Sequence, residues 1–163
     1  MQVARLQDPK AKFEPVNLDL DAVCRSVIDE FKSRPEVMQQ FVYKCDDKLQ
    51  QARLDRKLIR QMINNLLSNA VKYSAPDTVI HVTLQHIDAA LMLKVQDHGI
   101  GIPESDLKHL FEPFHRATNV GTISGTGLGL VIAKESVELH GGLMSVETKV
   151  DVGTTFTIMI PLQ

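Results

Sequence analysis

Apolar positions recur at helical spacing in three long segments of the chain. The first covers residues 18–31 and is followed by Pro35, a residue that stops helices. The second begins after Asp55, a residue type that caps helices, and continues to about Tyr73. The third covers residues 128–139 and is ended by Gly141. This pattern predicts three amphipathic helices.

Other segments alternate apolar and polar positions, which is typical of half-buried strands. Residues 79–84 and 91–95 predict a hairpin. Further strands are predicted at residues 40–44, 143–148 and 154–160, the last two joined near Gly153. Because helices and hairpins are mixed along the chain, we expect an α/β two-layer sandwich, with helices packed on one face of a mixed β-sheet.

Composition limits the classes of protein to consider. A chain of 163 residues with 44% hydrophobic and 23% charged residues suits one globular domain. The net charge of −2, without a basic block, predicts neither nucleic acid nor an acidic membrane as partner. No apolar run is long enough to span a bilayer, and Cys24 and Cys45 have no metal-ligand spacing. We therefore expect a cytoplasmic protein with reduced thiols.

The polar residues of the second helix suggest a binding face. Asn65, Asn69 and Lys72 follow at helical spacing, so they lie on one stripe with Tyr73 beside it. A solvated surface is the simpler interpretation, but asparagine disfavours helix interiors. Amide oxygens can bind Mg²⁺, a lysine can contact a phosphate, and a tyrosine can cover a base. The stripe therefore predicts a nucleotide and its metal ion.

Two glycine-containing motifs extend this prediction. Asp97 ends a predicted strand and is followed by Gly99 and Gly101. This motif is either a tight turn or part of an adenine site. In an adenine site the carboxylate would accept a hydrogen bond from the adenine amine, and the glycines would let the backbone approach the ring. Ile102 would then pack on the ring. The second motif, residues 125–130, opens the third helix, where free amides and the helix dipole favour an anion. Its members, with Thr126 as a possible cap, are Gly125, Thr126, Gly127, Leu128, Gly129 and Leu130.

Residues 99–126 form a long stretch between these motifs, with a short helix expected after Pro103. Loops of this length in compact domains are usually functional or mobile. Phe111 and Phe114 are predicted to act as a hydrophobic plug that holds the loop down, whereas Arg116 could reach a γ-phosphate. We expect this stretch to be a lid over the nucleotide.

In these motifs the chain resembles the catalytic and ATP-binding domain of sensor histidine kinases, which belongs to the Bergerat-fold ATPase superfamily. Residues 65–73 match the N box, 97–101 the G1 box, 111–114 the F box and 125–130 the G2 box, while 153–156 match the closing strand motif. The resemblance implies a domain at residues 15–163, preceded at 1–14 by a linker or the end of an upstream helical dimerisation domain.

The resemblance also implies roles for individual residues. Asn69, with Asn65, would hold Mg²⁺, while Lys72 and Arg116 would contact phosphates; Asn65, Lys72 and Arg116 form the implied catalytic set. The other implied contacts to ATP come from Tyr73 on adenine, Asp97 on its amine, and the glycine-motif and strand residues Gly99, Gly101, Ile102, Thr126, Gly127, Leu128, Gly129, Leu130 and Thr155.

The six histidines separate this chain from a whole kinase. The family's phosphoacceptor histidine is followed by an acidic residue, and none of the histidines here is. The substrate histidine is therefore expected on a separate dimerisation domain of a homodimeric protein, with a response regulator receiving the phosphoryl group. Related hydrolases carry a water-activating glutamate four residues before the metal asparagine, where this chain has Asn65. That difference favours phosphoryl transfer.

Two alternatives remain open at this stage. One is a serine kinase of the anti-sigma type, which has the same fold; the linker-like start of the chain argues against it. The other is a non-catalytic nucleotide-binding module that docks partners. Such a module would use Asp97 but would not need Lys72 and Arg116 together, so their presence favours catalysis.

Overall fold

A computed structural model describes residues 13–46, 51–119 and 127–162 of the chain. Its elements, in chain order, are β1 (Val16–Leu18), α1 (Leu20–Lys32), β2 (Gln40–Cys45), β3 (Ala52–Leu54), α2 (Arg56–Tyr73), β4 (Val79–Ile87), β5 (Ala90–Asp97), α3 (Glu104–Leu107), α4 (Gly129–Leu139), β6 (Leu143–Lys149) and β7 (Gly153–Pro161). The helices α1, α2 and α4 are the three long helices expected from the sequence.

Five strands form the main sheet, in the order β2-β4-β5-β7-β6. The pair β2–β4 is parallel and the other three pairs are antiparallel, so the sheet is mixed, as predicted. In the register of β5 with β7, Asp97 lies opposite Thr154. A separate antiparallel pair joins β1 to β3. The predicted two-layer sandwich is thus confirmed.

The core lies between one face of the sheet and the long helices. In β4, β5 and β7 every second residue points into it, which gives the alternation seen in the sequence. The helices contribute one apolar stripe each, and the largest fully buried side chain is Phe31 of α1. Cys24 also lies in this core, where burial raises the pKa of its thiol to about 12, and both cysteines are free, as expected.

The sequence reading differs from the structure mainly at short elements. It predicted a helix from residue 18, but Asp19 is the cap of α1 and Leu18 belongs to β1. It also missed β1 and β3, because three residues are too few to show a period. The predicted linker at residues 1–14 lies outside the described residues except for 13 and 14. None of the described helices is both long and apolar enough to cross a membrane.

Candidate functional site

One cavity of about 410 Å³ lies between α2, the start of α4, the ends of β5 and β7, and the segment after β5. It brings together side chains that are far apart in the chain. Its lining consists of Asn65, Ser68, Asn69, Lys72, Tyr73, Asp97, Ile100, Gly101, Ile102, Asp106, Leu110, His115, Arg116, Ala117, Gly127, Leu128, Gly129, Leu130, Ile132, Thr154 and Phe156.

Helix α2 supplies the polar wall of the cavity. Its apolar face is buried in the core, so the opposite stripe, with Asn65, Asn69 and Lys72, faces the cavity as predicted. The stripe also includes Ser68, which sequence reasoning missed although it lies three residues after Asn65 on the same face. Asn65 Nδ2 is buried and makes no hydrogen bond to any described residue, which leaves a polar group available to a ligand.

Asp97 lies in the cavity lining at the end of β5 and is only 8% exposed. Its Oδ1 accepts hydrogen bonds from the amides of Gly99 at 2.9 Å and Thr154 at 3.2 Å. Burial raises the pKa of this carboxyl, and the two amide hydrogen bonds oppose that rise. Because both bonds go to Oδ1, the second oxygen of this lining residue keeps its capacity as an acceptor.

The glycines after Asp97 permit close backbone contacts. A Cβ on Gly99 would lie 2.1 Å from the carbonyl oxygen of Tyr73, and one on Gly101, which has a φ of +71°, would lie 2.2 Å from that of Lys149. These glycines therefore let the segment after β5 pass against the end of α2 and the turn before β7. Gly101 lines the cavity as predicted, whereas Gly99 is absent from its described lining.

The start of α4 forms the opposite wall. Gly127, Leu128, Gly129 and Leu130 all line the cavity, and no side chain caps the described start of the helix. The first-turn amides of a helix have no partner within the helix, and the helix dipole favours an anion at this end. The predicted cap, Thr126, lies outside the described residues, as do residues 120–125 of the predicted lid.

The two phenylalanines of the predicted plug behave differently. Phe111 packs against the core, and Lys134 Nζ lies 5.5 Å from its ring centroid. The prediction is wrong for Phe114, which is 60% exposed. Its backbone has a φ of +65°, and its amide donates to the carbonyl of Gly127 at 3.0 Å, so this residue contributes a backbone contact instead of an apolar one.

Sequence reasoning missed several lining residues. Thr154 lines the cavity, while the predicted Thr155 is not part of that lining and pairs with Gln96 in the register of β5 and β7. Strand alternation was the available signal, because Thr154 shares its face with Phe156 and Ile158. Asp106, Leu110 and His115 gave no signal in the sequence, since their position depends on how residues 103–119 fold.

A family model described as "Histidine kinase-, DNA gyrase B-, and HSP90-like ATPase" matches residues 54–163. The sensor histidine kinase YvrG of Bacillus subtilis (strain 168) is 36% identical over 162 residues, which are 98% of this chain and 28% of that protein. The sensor histidine kinase WalK of the same organism is 30% identical over 99% of this chain and 27% of its own length. The chain thus spans just over a quarter of these relatives.

Solved structures agree in fold. The catalytic domain of the histidine kinase ThkA superposes with a TM-score of 0.79 at 27% identity, covering 91% of this chain and 96% of that one. The mycobacterial sensor histidine kinase MprB superposes with a TM-score of 0.79 at 28% identity, covering 92% of this chain and 99% of that one. Almost the whole of each of these structures corresponds to this chain.

Proposed function

Because the chain belongs to the family of histidine kinase-, DNA gyrase B- and HSP90-like ATPases and has the fold of a histidine kinase catalytic domain, we propose that it binds ATP and transfers the γ-phosphoryl group to a histidine on a separate dimerisation domain. The observation that carries this proposal is the cavity in which an amide-and-lysine stripe, a buried carboxylate and a helix N-terminus meet.

Adenine would occupy the end of the cavity at Asp97. The carboxylate oxygen that makes no hydrogen bond to the backbone accepts one from the exocyclic amine of adenine. Ile102, Leu110 and Phe156 supply apolar surface for the ring. Tyr73 lies at the end of α2 beside them. A buried acceptor of this kind favours adenine over a base that presents a carbonyl at the same position.

The phosphates would lie between α2 and the start of α4. The first-turn amides of α4 bind phosphate oxygens, and Lys72 and Arg116, both in the cavity lining, add positive charge. Arg116 is the cation that we place at the γ-phosphate. Phosphoryl transfer depends chiefly on positioning and on stabilising charge, and these groups supply both.

A magnesium ion would fit beside Asn65 and Asn69. No group of three or more His, Cys, Asp or Glu residues in the described chain could hold a metal, so amide and phosphate oxygens would be its ligands. The unpartnered amide of Asn65 is consistent with such a site, because the amide can turn to present its oxygen. When bound, the ion neutralises charge on the phosphates.

The lining favours transfer to a protein side chain over hydrolysis. Besides Asp97, the only carboxylate among the described lining residues is Asp106, which accepts two hydrogen bonds from Thr118. The first of these, from the Thr118 amide, is the main cause of the lowered pKa of Asp106, which makes the carboxylate a weak base. Asn65 cannot take a proton from water. Neither Asp106 nor Asn65 is therefore suited to activating water.

The phosphoacceptor and partners would lie outside this chain. His140 cannot serve as acceptor, because its Nε2 accepts from the Asp55 amide and its Nδ1 donates to the Ser136 carbonyl. We propose that the acceptor histidine belongs to an upstream dimerisation domain of a homodimeric kinase, and that a response regulator receives the phosphoryl group next. Since the reaction consumes ATP, the cytoplasm is the compartment we expect.

The test starts from the chain alone and measures ATP binding by calorimetry with and without Mg²⁺. We expect binding, almost no self-phosphorylation and very slow hydrolysis. Addition of a separate helical domain that carries the acceptor histidine should produce weak labelling that is acid-labile and alkali-stable, because separation removes the effective concentration that a linker provides.

Each other result identifies a different function. Acid-stable labelling of a serine would establish the serine kinase. Rapid hydrolysis without labelling would establish an ATPase. Binding without either reaction would establish a nucleotide-binding module, and absence of ATP binding would contradict the proposal altogether.

A further inference from the structure

Asp106 is a buried carboxylate in the cavity wall that the proposed function does not use. It lies in the short helix α3, and only 4% of the residue is exposed. An ionised carboxylate only accepts hydrogen bonds and therefore cannot bind phosphate oxygens, so its place in this wall calls for another purpose. Its hydrogen bonds indicate that purpose.

Asp106 Oδ2 holds the segment that carries Arg116, and Oδ1 faces a histidine of the same segment. Oδ2 accepts from the amide of Thr118 and from its hydroxyl, each at 3.0 Å. Oδ1 lies 3.4 Å from His115 Nε2, which is within ion-pair distance but lacks hydrogen-bond geometry. These two residues flank Arg116 in the chain, so Asp106 fixes the backbone at Thr118 and contacts the side chain that precedes the guanidinium.

A second contact joins the same segment to the adenine side of the cavity. Asn119 Nδ2 donates to the carbonyl of Gly101 at 3.0 Å and lies 3.4 Å from that of Ile100. Residues 115–119 are thus attached both to α3 and to the backbone that follows Asp97. The hydrogen bonds of Thr118 to the ionised Asp106 are stronger than those of Asn119 to neutral carbonyls. Asp106 is therefore the main attachment of the segment.

We propose that Asp106 is a positioning residue that holds residues 115–119 so that Arg116 faces the γ-phosphate of the bound nucleotide. This inference rests on the proposed function, because the role that it assigns to Arg116 is contact with the γ-phosphate of ATP. Asp106 does not touch the nucleotide in this scheme. It acts through Thr118 and His115, so its loss should lower nucleotide affinity only through the contact that Arg116 makes.

The first measurement needs no nucleotide. Hydrogen exchange at the Thr118 amide should accelerate about tenfold or more in Asp106→Ala, because the amide loses its charged acceptor. Glu104→Ala removes an exposed carboxylate from the same helix and is the matched control, with no change expected. Unchanged exchange in Asp106→Ala would overturn the attachment. Asp106→Asn, which keeps one oxygen acceptor, gives a milder variant should the alanine variant fail to fold.

The second measurement separates positioning from general stability. Calorimetry should show ATP affinity reduced about tenfold in Asp106→Ala with ADP affinity unchanged, since ADP has no γ-phosphate. Arg116→Ala should show the same selective loss, and the double variant should lose no more than either single variant. Equal losses of ATP and ADP affinity, or additive losses in the double variant, would overturn the positioning role.

A third comparison tests the hydroxyl of Thr118. Thr118→Val should show part of the selective ATP loss, and Thr118→Ser should restore the wild-type affinity, because serine keeps the hydroxyl donor. A serine variant as weak as the valine variant would count against the proposal. Failure of the unaltered protein to bind ATP would overturn the proposed function and the purpose assigned to Arg116, whereas the exchange measurement would still decide whether Asp106 attaches the segment.

Discussion

The two ends of the α2–α4 helix pair use polar residues in opposite ways. At one end, Asp55 and His140 are buried and their polar groups are paired with each other or with nearby backbone. At the other end, Asn65 lies beside the start of α4, where a Cβ on Gly129 would be 3.8 Å from its Oδ1, and its buried amide nitrogen has no partner in the described chain. The same two helices form both ends, so the difference reflects the role of each end and not the helices themselves.

The paired end is a structural junction. Asp55 Oδ1 accepts from Leu58 and caps α2, while Oδ2 accepts from the amide of Glu14 at 2.9 Å. The Asp55 amide donates to His140 Nε2 at 3.0 Å, and the Phe13 ring packs edge-on against the histidine at 4.9 Å. This junction attaches residues 13 and 14 to both helices. At the open end the described chain gives the Asn65 amide nitrogen no such partner, which is expected where a ligand supplies one.

The largest change in stability is expected from Asp55→Ala. The variant loses a helix cap and leaves the Glu14 and Leu58 amides without their acceptor, which should lower the free energy of unfolding by about 2–4 kcal/mol. Urea denaturation measures this loss. Asp19→Ala, which removes only the exposed cap of α1, is the control and should cost about 1 kcal/mol. Equal losses in the two variants would show that the junction contributes nothing beyond capping.

At the open end, Asp97→Asn should weaken ATP binding by about ten- to a hundredfold, because a hydrogen bond to a charged group contributes roughly 1.5–3 kcal/mol. The asparagine Oδ1 can keep both backbone hydrogen bonds, while its amide nitrogen replaces the acceptor that faces adenine. Calorimetry measures the affinity. Gln96→Ala, at an exposed neighbour, should bind normally. Unchanged affinity in Asp97→Asn would refute the adenine assignment.

The same variant should change how stability depends on pH. Burial raises the pKa of Asp97 above its ordinary 3.8, so its contribution to folding is present below pH 3.8 and is lost as the pH rises through the raised value. The substituted amide does not titrate, and all other groups are shared. The stability of Asp97→Asn relative to wild type should therefore increase from below pH 3.8 to neutral pH. A constant difference in urea denaturation across that range would contradict the raised pKa.

The smallest change in stability is expected from Asn69→Ala. Alanine favours helices over asparagine by about 0.5 kcal/mol, so the apo protein should be no less stable. Binding of ATP should nevertheless lose its dependence on Mg²⁺, as measured by titrations with and without the metal. Asn64→Ala on the same helix, outside the described cavity lining, is the control and should keep that dependence. A marked loss of stability with Mg²⁺ dependence retained would make Asn69 a structural residue.

Local patterns predicted the open end better than the paired end. Helical spacing was sufficient to place Asn65, Asn69 and Lys72 on one face, and Asp97 was identified because it ends a strand before glycines. The junction was not predicted beyond the cap at Asp55, because its hydrogen bond to His140 joins residues 85 positions apart. The periodicity of apolar residues carries no information about contacts between residues so far apart in the chain.

Loop geometry was the other gap. Thr118 and Asp106 are 12 residues apart in a segment without regular spacing, so nothing in the sequence joins them. The left-handed backbone of Phe114 was equally hidden, since a phenylalanine is normally expected to bury its ring. Gly99 and Gly101 were recognised as important, but their close contacts with the backbone of Tyr73 and Lys149 depend on the tertiary arrangement.

The pairing of β5 with β7 also determines when the cavity can form during synthesis. Asp97 takes one of its hydrogen bonds from Thr154, which follows it by 57 residues, and α4 lies between them in the chain. While the ribosome is still making that stretch, the β4–β5 hairpin can fold, but the carboxylate lacks its neighbour and the cavity lacks two walls. Nascent chains should therefore acquire nucleotide only after β7 has emerged, as one of the last steps of folding.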